Sequence, residues 1–176
     1  MSSVVRGKVH SRNIARLIEE GDRQMLRKVE QFRQILARLK YEGEPLLGGN
    51  VKRFRGILNF FNSDVMDHIL IEEKVLFPFL KFHIPKMEMT IHLLLADHED
   101  FKRDVRVLGK LLTRLERSTT AASRSGIIGS LQETGMHLVY LLRHHVDVES
   151  KSIYRDERLI LQERLRKMFS RFLVRS

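Results

Sequence analysis

Two histidine–glutamate pairs with the same spacing are the residues of this sequence best suited to chemistry. His68 stands four residues before Glu72, and His145 stands four residues before Glu149. Side chains four apart project from one face of a helix, so each pair can chelate a single ion. The segments that carry the pairs, 67–77 and 144–154, align with each other without gaps. This internal repeat predicts a roughly two-fold symmetric centre built from two similar halves.

Two more ionisable residues interrupt the apolar stripes of other segments. His98 lies in the stripe of a third segment, and Asp22 lies in that of the first, directly after Gly21. A lone histidine such as His98 is more often a core residue with a hydrogen-bond partner. Asp22 would face solvent if its helix were rotated by one position. Beside the two histidine–glutamate pairs, both residues are instead candidates for the same site.

A shared metal is the economical way to keep these acids in an apolar interior. An unpaired buried carboxylate costs several kcal/mol, and the inward positions carry no Arg or Lys that would compensate it. The absence of cysteine excludes disulfides, thiolate nucleophiles, Cys-ligated zinc and iron–sulfur clusters. Carboxylate and imidazole ligands suit iron or manganese, often as a pair of ions. The predicted metal ligands are His68, Glu72, His98, His145, Glu149 and Asp22.

The elements that would position these ligands are four long helices. Apolar residues recur at steps of three and four over about 12–40, 50–82, 86–117 and 127–154, which is the period of helices packed in a bundle. Loops are predicted over 41–50 and 118–126, with a turn at 83–85. The expected fold is therefore an all-α, up-down-up-down antiparallel four-helix bundle over 12–155. A basic N-terminal segment (1–11) and an amphipathic C-terminal helix (156–176), with its stripe at Leu161, Leu165, Met168 and Phe172, complete the 176 residues.

The net charge of +10 comes from 32 basic and 22 acidic residues and is concentrated at the two ends. Basic ends can contact nucleic acid, an anionic membrane or an acidic partner. No zinc finger, RNP-like aromatic run or helix-turn-helix accompanies them, so nucleic-acid binding ranks last among the functions considered. No window approaches the length of a membrane span, and the N-terminus does not resemble a secretory signal. The expected location is therefore the cytoplasm.

The order of these residues resembles the hemerythrin-like, or HHE cation-binding, domain family. The sequence HILIEEKVLFP (68–78) is similar to the family's second-helix motif, ADHEDF (96–101) to the third and HVDVE (145–149) to the fourth. The resemblance covers roughly 12–155 and implies a non-haem di-iron protein. In that arrangement Glu72 and Glu149 are bridging carboxylates, and the three histidines are terminal ligands.

Two departures from the family pattern bear on function. Asp22 stands where the first-helix His is expected, and Leu94 stands four residues before His98, where oxygen-carrying hemerythrins have an additional His. Harder, more anionic ligands stabilise ferric iron and leave coordination positions open. The resemblance therefore implies redox chemistry, iron sensing or a degenerate site rather than reversible oxygen carriage. The expected ligands are O2, peroxide or nitric oxide, and an enzymatic form would be a di-iron oxidoreductase.

An alternative function is an iron- or oxygen-responsive sensor or interaction module. Metal occupancy would order the bundle, and the C-terminal stripe would pass that state to a protein partner or a second copy in a homodimer. The structural interpretation of the same stripe is a helix that packs on its own bundle.

Overall fold

The computed structural model describes residues 14–42 and 44–153, with side chains from residue 20 onward except those of Glu44 and His83. Six α-helices follow one another along this part of the chain: α1 (Ile14–Tyr41), α2 (Glu44–Phe60), α3 (Met66–Ile71), α4 (Phe77–His83), α5 (Glu88–Arg117) and α6 (Ala121–Ser152). The predicted four-helix bundle is confirmed, because α2, α3 and α4 join end to end into one long helical segment. We call the four long segments rods: α1 is the first, α2 to α4 form the second, α5 is the third and α6 is the fourth. The basic N-terminal segment and the amphipathic C-terminal helix lie outside the described residues. None of the described helices combines the length and apolarity needed to cross a membrane.

The second rod is continuous because two π turns connect its three helices. The turns span Phe61–Val65 and Glu72–Leu76, and the residues that flank them keep right-handed helical backbone angles. The rod ends at Ile84, where φ is −137° and ψ is 71°. A π turn holds more residues than an α turn, so the buried face beyond Glu72 continues at Leu76 and Leu80. Regular steps of three and four residues after Glu72 would instead place Val75 and Phe79 there, and both are only half-buried.

Both predicted loops are largely helical, which corrects the sequence interpretation. Helix α2 begins at Glu44, inside the predicted loop 41–50, and α6 begins at Ala121, inside the predicted loop 118–126. Pro45 occupies the first turn of α2, where a missing N–H interrupts no helical hydrogen bond. Thr120 caps α6, since its hydroxyl accepts a hydrogen bond from the Ser123 N–H at 3.2 Å. Residue types that usually interrupt a helix therefore lie at the beginning of α2 and α6.

Two apolar clusters divide the core along the length of the bundle. The first cluster contains most of the buried side chains and extends over all four rods, from Met25 on α1 to Val146 on α6. The second cluster is smaller and contains Leu76, Phe77, Leu80, Met87, Ile91, Leu94 and Ile153. Along their helices, Glu72, His98 and Glu149 each fall between a residue of one cluster and a residue of the other. The polar residues therefore occupy a layer enclosed by apolar packing on both sides.

Candidate metal centre

The structure brings all six sequence-predicted residues together in the core. Their exposed fractions lie between 0% and 8%, and they come from all four rods. Asp22 points inward from α1 instead of facing solvent, because the apolar face of that helix continues directly at Met25 and Val29. The buried set is Asp22, His68, Glu72, His98, His145 and Glu149.

The potential ligand atoms form two groups that share Glu72. One group contains Asp22, His68, Glu72 and Glu149, and the other contains Glu72, His98 and His145; within each, the atoms lie within 4.8 Å of one another. Glu72 Oε1 is 2.8 Å from His68 Nε2, whereas Oε2 is 3.2 Å from His98 Nε2. One carboxylate thus presents one oxygen to each group.

One further close distance lies within the first group, and another connects the two groups. Asp22 Oδ1 lies 3.1 Å from His68 Nε2, and Glu149 Oε2 lies 3.6 Å from His145 Nε2. Glu149 therefore belongs to the first group and also approaches a histidine of the second.

Many of these atoms are buried without a properly oriented hydrogen bond. Both oxygens of Glu72, both of Glu149 and the Nε2 atoms of His68 and His98 are in this condition. Buried polar atoms in native proteins are nearly always satisfied, and leaving one unsatisfied costs about 1–3 kcal/mol. Converging oxygen and imidazole nitrogen atoms without thiolate match the preferences of iron and manganese. The residues present therefore fit a metal centre.

The pKa values of the acids point to a deficit of positive charge in the layer. Burial raises the pKa of Glu149 well above its usual range, and the nearby Glu72 and Asp22 carboxylates raise it further. Burial also raises the pKa of Asp22, which contact with His68 only partly offsets. The pKa of Glu72 is lowered instead. Burial raises it, but the contacts with His68 and His98 lower it by more. Without a cation, the layer retains protons in its place.

His68 holds one of those protons. Burial lowers the pKa of His68, but the close approach of Asp22 and Glu72 outweighs burial and raises the pKa to about 10. A metal that binds to these residues must displace protons.

Glu73 and Lys102 support His98 from outside the layer, and sequence reasoning missed both. His98 Nδ1 lies 3.0 Å from Glu73 Oε1, and Lys102 Nζ donates a hydrogen bond to the same oxygen at 2.9 Å. Phe77 stacks on the His98 ring with centroids 5.6 Å apart. Partial burial raises the pKa of Glu73, but Lys102 and His98 lower it by more, so this carboxylate stays ionised. Contacts between residues 25 or more positions apart have no signature in helical spacing.

Asp97 lies behind the other histidine of the second group, at a longer distance and without a hydrogen bond. Its Oδ2 lies 3.5 Å from His145 Nδ1. Carboxylates behind ligating histidines fix the orientation of the ring and raise its basicity. Asp97 directly precedes His98, and an acidic neighbour of a candidate ligand was the only sequence signal that could have suggested it.

The other described histidine side chains stay outside the layer. His92 and His144 are exposed. His137 is also exposed, and its Nδ1 lies 2.5 Å from Oδ2 of the buried Asp104.

Fold and site together define a cation-binding helical bundle. A model of the Hemerythrin HHE cation binding domain matches residues 13–156. The chain belongs to that family. Comparison with curated proteins and with solved structures found no match.

Proposed function

We propose that this chain is a non-haem di-iron carboxylate protein that binds or reacts with O2, peroxide or nitric oxide. The observation that carries the proposal is the position of Glu72, whose two oxygens face two separate groups of ligand atoms 2.8 Å and 3.2 Å away. A carboxylate shared in this way suits a pair of cations better than a single one.

Each described ligand has a role in this proposal. Asp22, His68 and Glu149 would hold one ion, and His98 and His145 would hold the other. Glu72 would be shared by both ions, and Glu149 would be shared as well, because it approaches His145. When bound, paired iron supplies one-electron redox chemistry and open coordination positions for small ligands. The protein residues orient the ions, compensate their charge and exclude water through the two apolar clusters.

The composition of the ligand set favours redox chemistry or sensing over reversible oxygen carriage. Three carboxylates accompany three imidazoles in the layer, and anionic oxygen ligands stabilise the ferric state. Leu94, at the position of the additional histidine of oxygen carriers, is fully buried and packs in the second apolar cluster. It contributes no metal ligand, so the His98–His145 group lacks the additional histidine of an oxygen carrier.

Metal analysis of the full-length chain tests this function. Protein purified from iron-supplemented cells should contain about two irons per chain, the number expected of a paired site. Its near-ultraviolet charge-transfer absorption should fall with dithionite and return with O2, and nitric oxide should alter the reduced spectrum. Manganese shares the same ligand preference, so parallel growth with manganese determines which metal the site selects. A fully helical protein that binds neither metal would refute the proposal.

The sensor alternative and the homodimer depend on residues 161–172, which lie outside the described part of the chain. Both stay predictions, as does the cytoplasmic location. Deletion of 157–176 separates the possibilities: loss of stability indicates a helix packed on its own bundle. Loss of dimerisation or partner binding alone would favour the sensor.

A further inference from the structure

A surface cleft between α1 and α2 lies outside the metal centre. Its volume is about 390 Å³, which is within the range of sites that hold small molecules. None of the six residues of the ligand layer lines it. Its walls and floor include Lys28, Ile35 and Arg38 from α1 and Arg53, Gly56 and Ile57 from α2.

The charges that line this cleft all have one sign. Lys28, Arg38 and Arg53 contribute three positive charges, and no Asp or Glu of the described chain is among the lining residues. The other two described lining residues are glutamines. A cleft lined by one sign of charge concentrates the electric field and attracts counter-ions. Guanidinium groups match pairs of phosphate oxygens with parallel N–H groups, so the lining favours a phosphate-bearing anion.

The arginines of the cleft differ from those on the other faces of the same two helices. Arg33 on α1 and Arg55 on α2 are each paired with a glutamate by close hydrogen bonds. In the part of the chain that the structure describes, Arg53 forms no ion pair with a carboxylate. Arg38 Nε lies 3.8 Å from Glu42 Oε1, which is beyond hydrogen-bond distance. The guanidinium groups of the cleft therefore retain N–H donors for a bound anion.

The floor of the cleft is apolar and has room above it. Ile35 and Ile57 are buried there, with exposed fractions of 7% and 5%. A Cβ atom built on Gly56 would meet nothing within 4 Å, so α2 leaves space beside the two isoleucines. Lys28 Nζ lies 5.7 Å from the centroid of the Phe60 ring, an attraction that holds the ammonium group towards α2. A flat organic group fits this floor while its charged part stays with the cations.

We propose that the cleft binds a small phosphate ester with the chemistry of a nucleotide. Its phosphate oxygens contact Lys28, Arg38 and Arg53, and its ring lies over Ile35 and Ile57. The enclosed volume suits one small molecule, whereas a single-stranded nucleic acid needs a groove that follows a longer backbone. The site is separate from the metal centre, so its occupancy does not depend on the proposed function.

Calorimetric titration of the full-length chain with three probes tests the class of ligand. Sodium triphosphate should bind, and ATP should bind severalfold more tightly because its ring also covers the floor. Adenosine, which lacks phosphate, should not bind measurably. Excess magnesium prevents the phosphates from extracting iron. Equal affinities for ATP and triphosphate would overturn the nucleotide assignment, as would an oligonucleotide that binds more tightly than ATP.

The charge of Arg53 is tested against that of its neighbour on α2. Arg53→Gln and Lys52→Gln each remove one positive charge, but Lys52 is exposed and does not line the cleft. Affinity for ATP should fall by about tenfold or more in Arg53→Gln, the loss expected for hydrogen bonds to a charged group. It should stay nearly unchanged in Lys52→Gln. Equal losses would show attraction by net charge alone and would overturn the site.

The space above Gly56 is tested by filling it without changing any charge. Gly56→Leu should lower the affinity for ATP at least severalfold, because the added side chain occupies the cleft. The matched control is Gly49→Leu on the same helix, where a Cβ also meets nothing within 4 Å and which does not line the cleft. Leucine favours a helix more than glycine does, so circular dichroism should show both variants folded. Unchanged ATP affinity in folded Gly56→Leu would overturn the proposed site.

Discussion

Gly21 lies so close to His68 that a side chain at position 21 would occupy the space of the imidazole. A Cβ atom built on Gly21 would lie 2.5 Å from His68 Nδ1 and 2.9 Å from its Cε1. The absence of a side chain on α1 thus lets the His68 ring reach Asp22 and Glu72.

Gly21→Ala should therefore weaken metal binding although glycine is a poor helix former. The added methyl group pushes His68 away from Glu72, so occupancy of the Asp22–His68–Glu149 group should fall by about tenfold or more, as when a ligand is misplaced. The control is Gly56→Ala on α2, where an added Cβ meets nothing within 4 Å. That variant should keep its metal and gain up to about 1 kcal/mol of helix stability. Metal titration with denaturant unfolding measures both effects, and equal metal affinity in the two variants would contradict the contact.

His145→Ala should lose the ion on the His98 side while keeping the other. Iron per chain should fall from about two towards one, because the Asp22–His68–Glu149 group retains all its donors. His144→Ala is the matched control, since the neighbouring histidine is exposed and should keep its full metal content. Equal losses in the two variants would mean that helix α6 has a different register.

Glu72→Gln should impair both ions at once, in contrast to the single loss expected of His145→Ala. The amide keeps the shape of the side chain but removes the negative charge that both groups share. Metal content measured on folded protein, with helicity checked by circular dichroism, should fall below one ion per chain, about the limit for a site without its bridge. Retention of one tightly bound ion would show that Glu72 serves only one group.

Glu73→Gln should lower metal affinity without removing a ligand. The neutral amide no longer anchors His98 Nδ1 or pairs with Lys102, and loss of such a partner typically costs about 10–100-fold in affinity. Glu99→Gln is the matched control: Glu99 Oε1 lies 2.9 Å from the same Lys102 Nζ, but the residue is exposed. The visible absorption of the loaded protein should shift in Glu73→Gln alone. Rescue by Glu73→Asp would support an orienting carboxylate, and identical behaviour of Glu73→Gln and Glu99→Gln would argue against one.

The metal-free protein should become less stable as the pH rises from about 6.5 to 10. The pKa of His68 is 6.5 in its unperturbed state and about 10 in the folded chain, so the stabilisation by its proton is complete below pH 6.5 and is lost as the pH approaches 10. The raised pKa of Glu149 acts in the same direction, because ionisation of this acid destabilises only the folded state.

Urea midpoints of the metal-free protein at pH 6.5 and 9.5 measure this effect. The midpoint should be lower at the higher pH, and the difference should shrink in His68→Gln. Metal-loaded protein should change less, since the cations have already displaced the protons. A midpoint that rises with pH in the metal-free protein would contradict the charge balance described for the layer.

Gly135→Ala should destabilise the bundle where α1 packs on α6. A Cβ at this position would lie 2.7 Å from Leu36 Cδ1 and 3.2 Å from Phe32 Cζ, and both neighbours are almost fully buried. Overpacking of this kind costs about 1–3 kcal/mol. Gly129→Ala, on the same helix with nothing within 4 Å, should be neutral or stabilising. Chemical denaturation of both variants tests the prediction, which fails if Gly135→Ala is as stable as wild type.

Local spacing was enough to predict the helices and the inward direction of the ligands. His145 and Glu149 share a face because four residues make about one helical turn, whatever the rest of the chain does. The same rule explains why Met25 and Phe101, three residues after Asp22 and His98, are buried with the candidate ligands. The loops predicted from composition at 41–50 and 118–126 were wrong, because Pro, Ser and Thr favour the first turn of a helix as well as a loop.

What required the tertiary structure was every relation between residues on different rods. How the rods are rotated and spaced decides these relations. One oxygen of Glu72 faces His68 and the other faces His98. Glu73 supports His98, and a small cavity opens beside His145. The π turn at Glu72–Leu76 changes the rotation of the second rod, and Gly21 lets α1 approach it closely. The amino-acid sequence alone determined that each histidine–glutamate pair shares one face, because that follows from the backbone of a single helix. Packing between helices decided which of them meet.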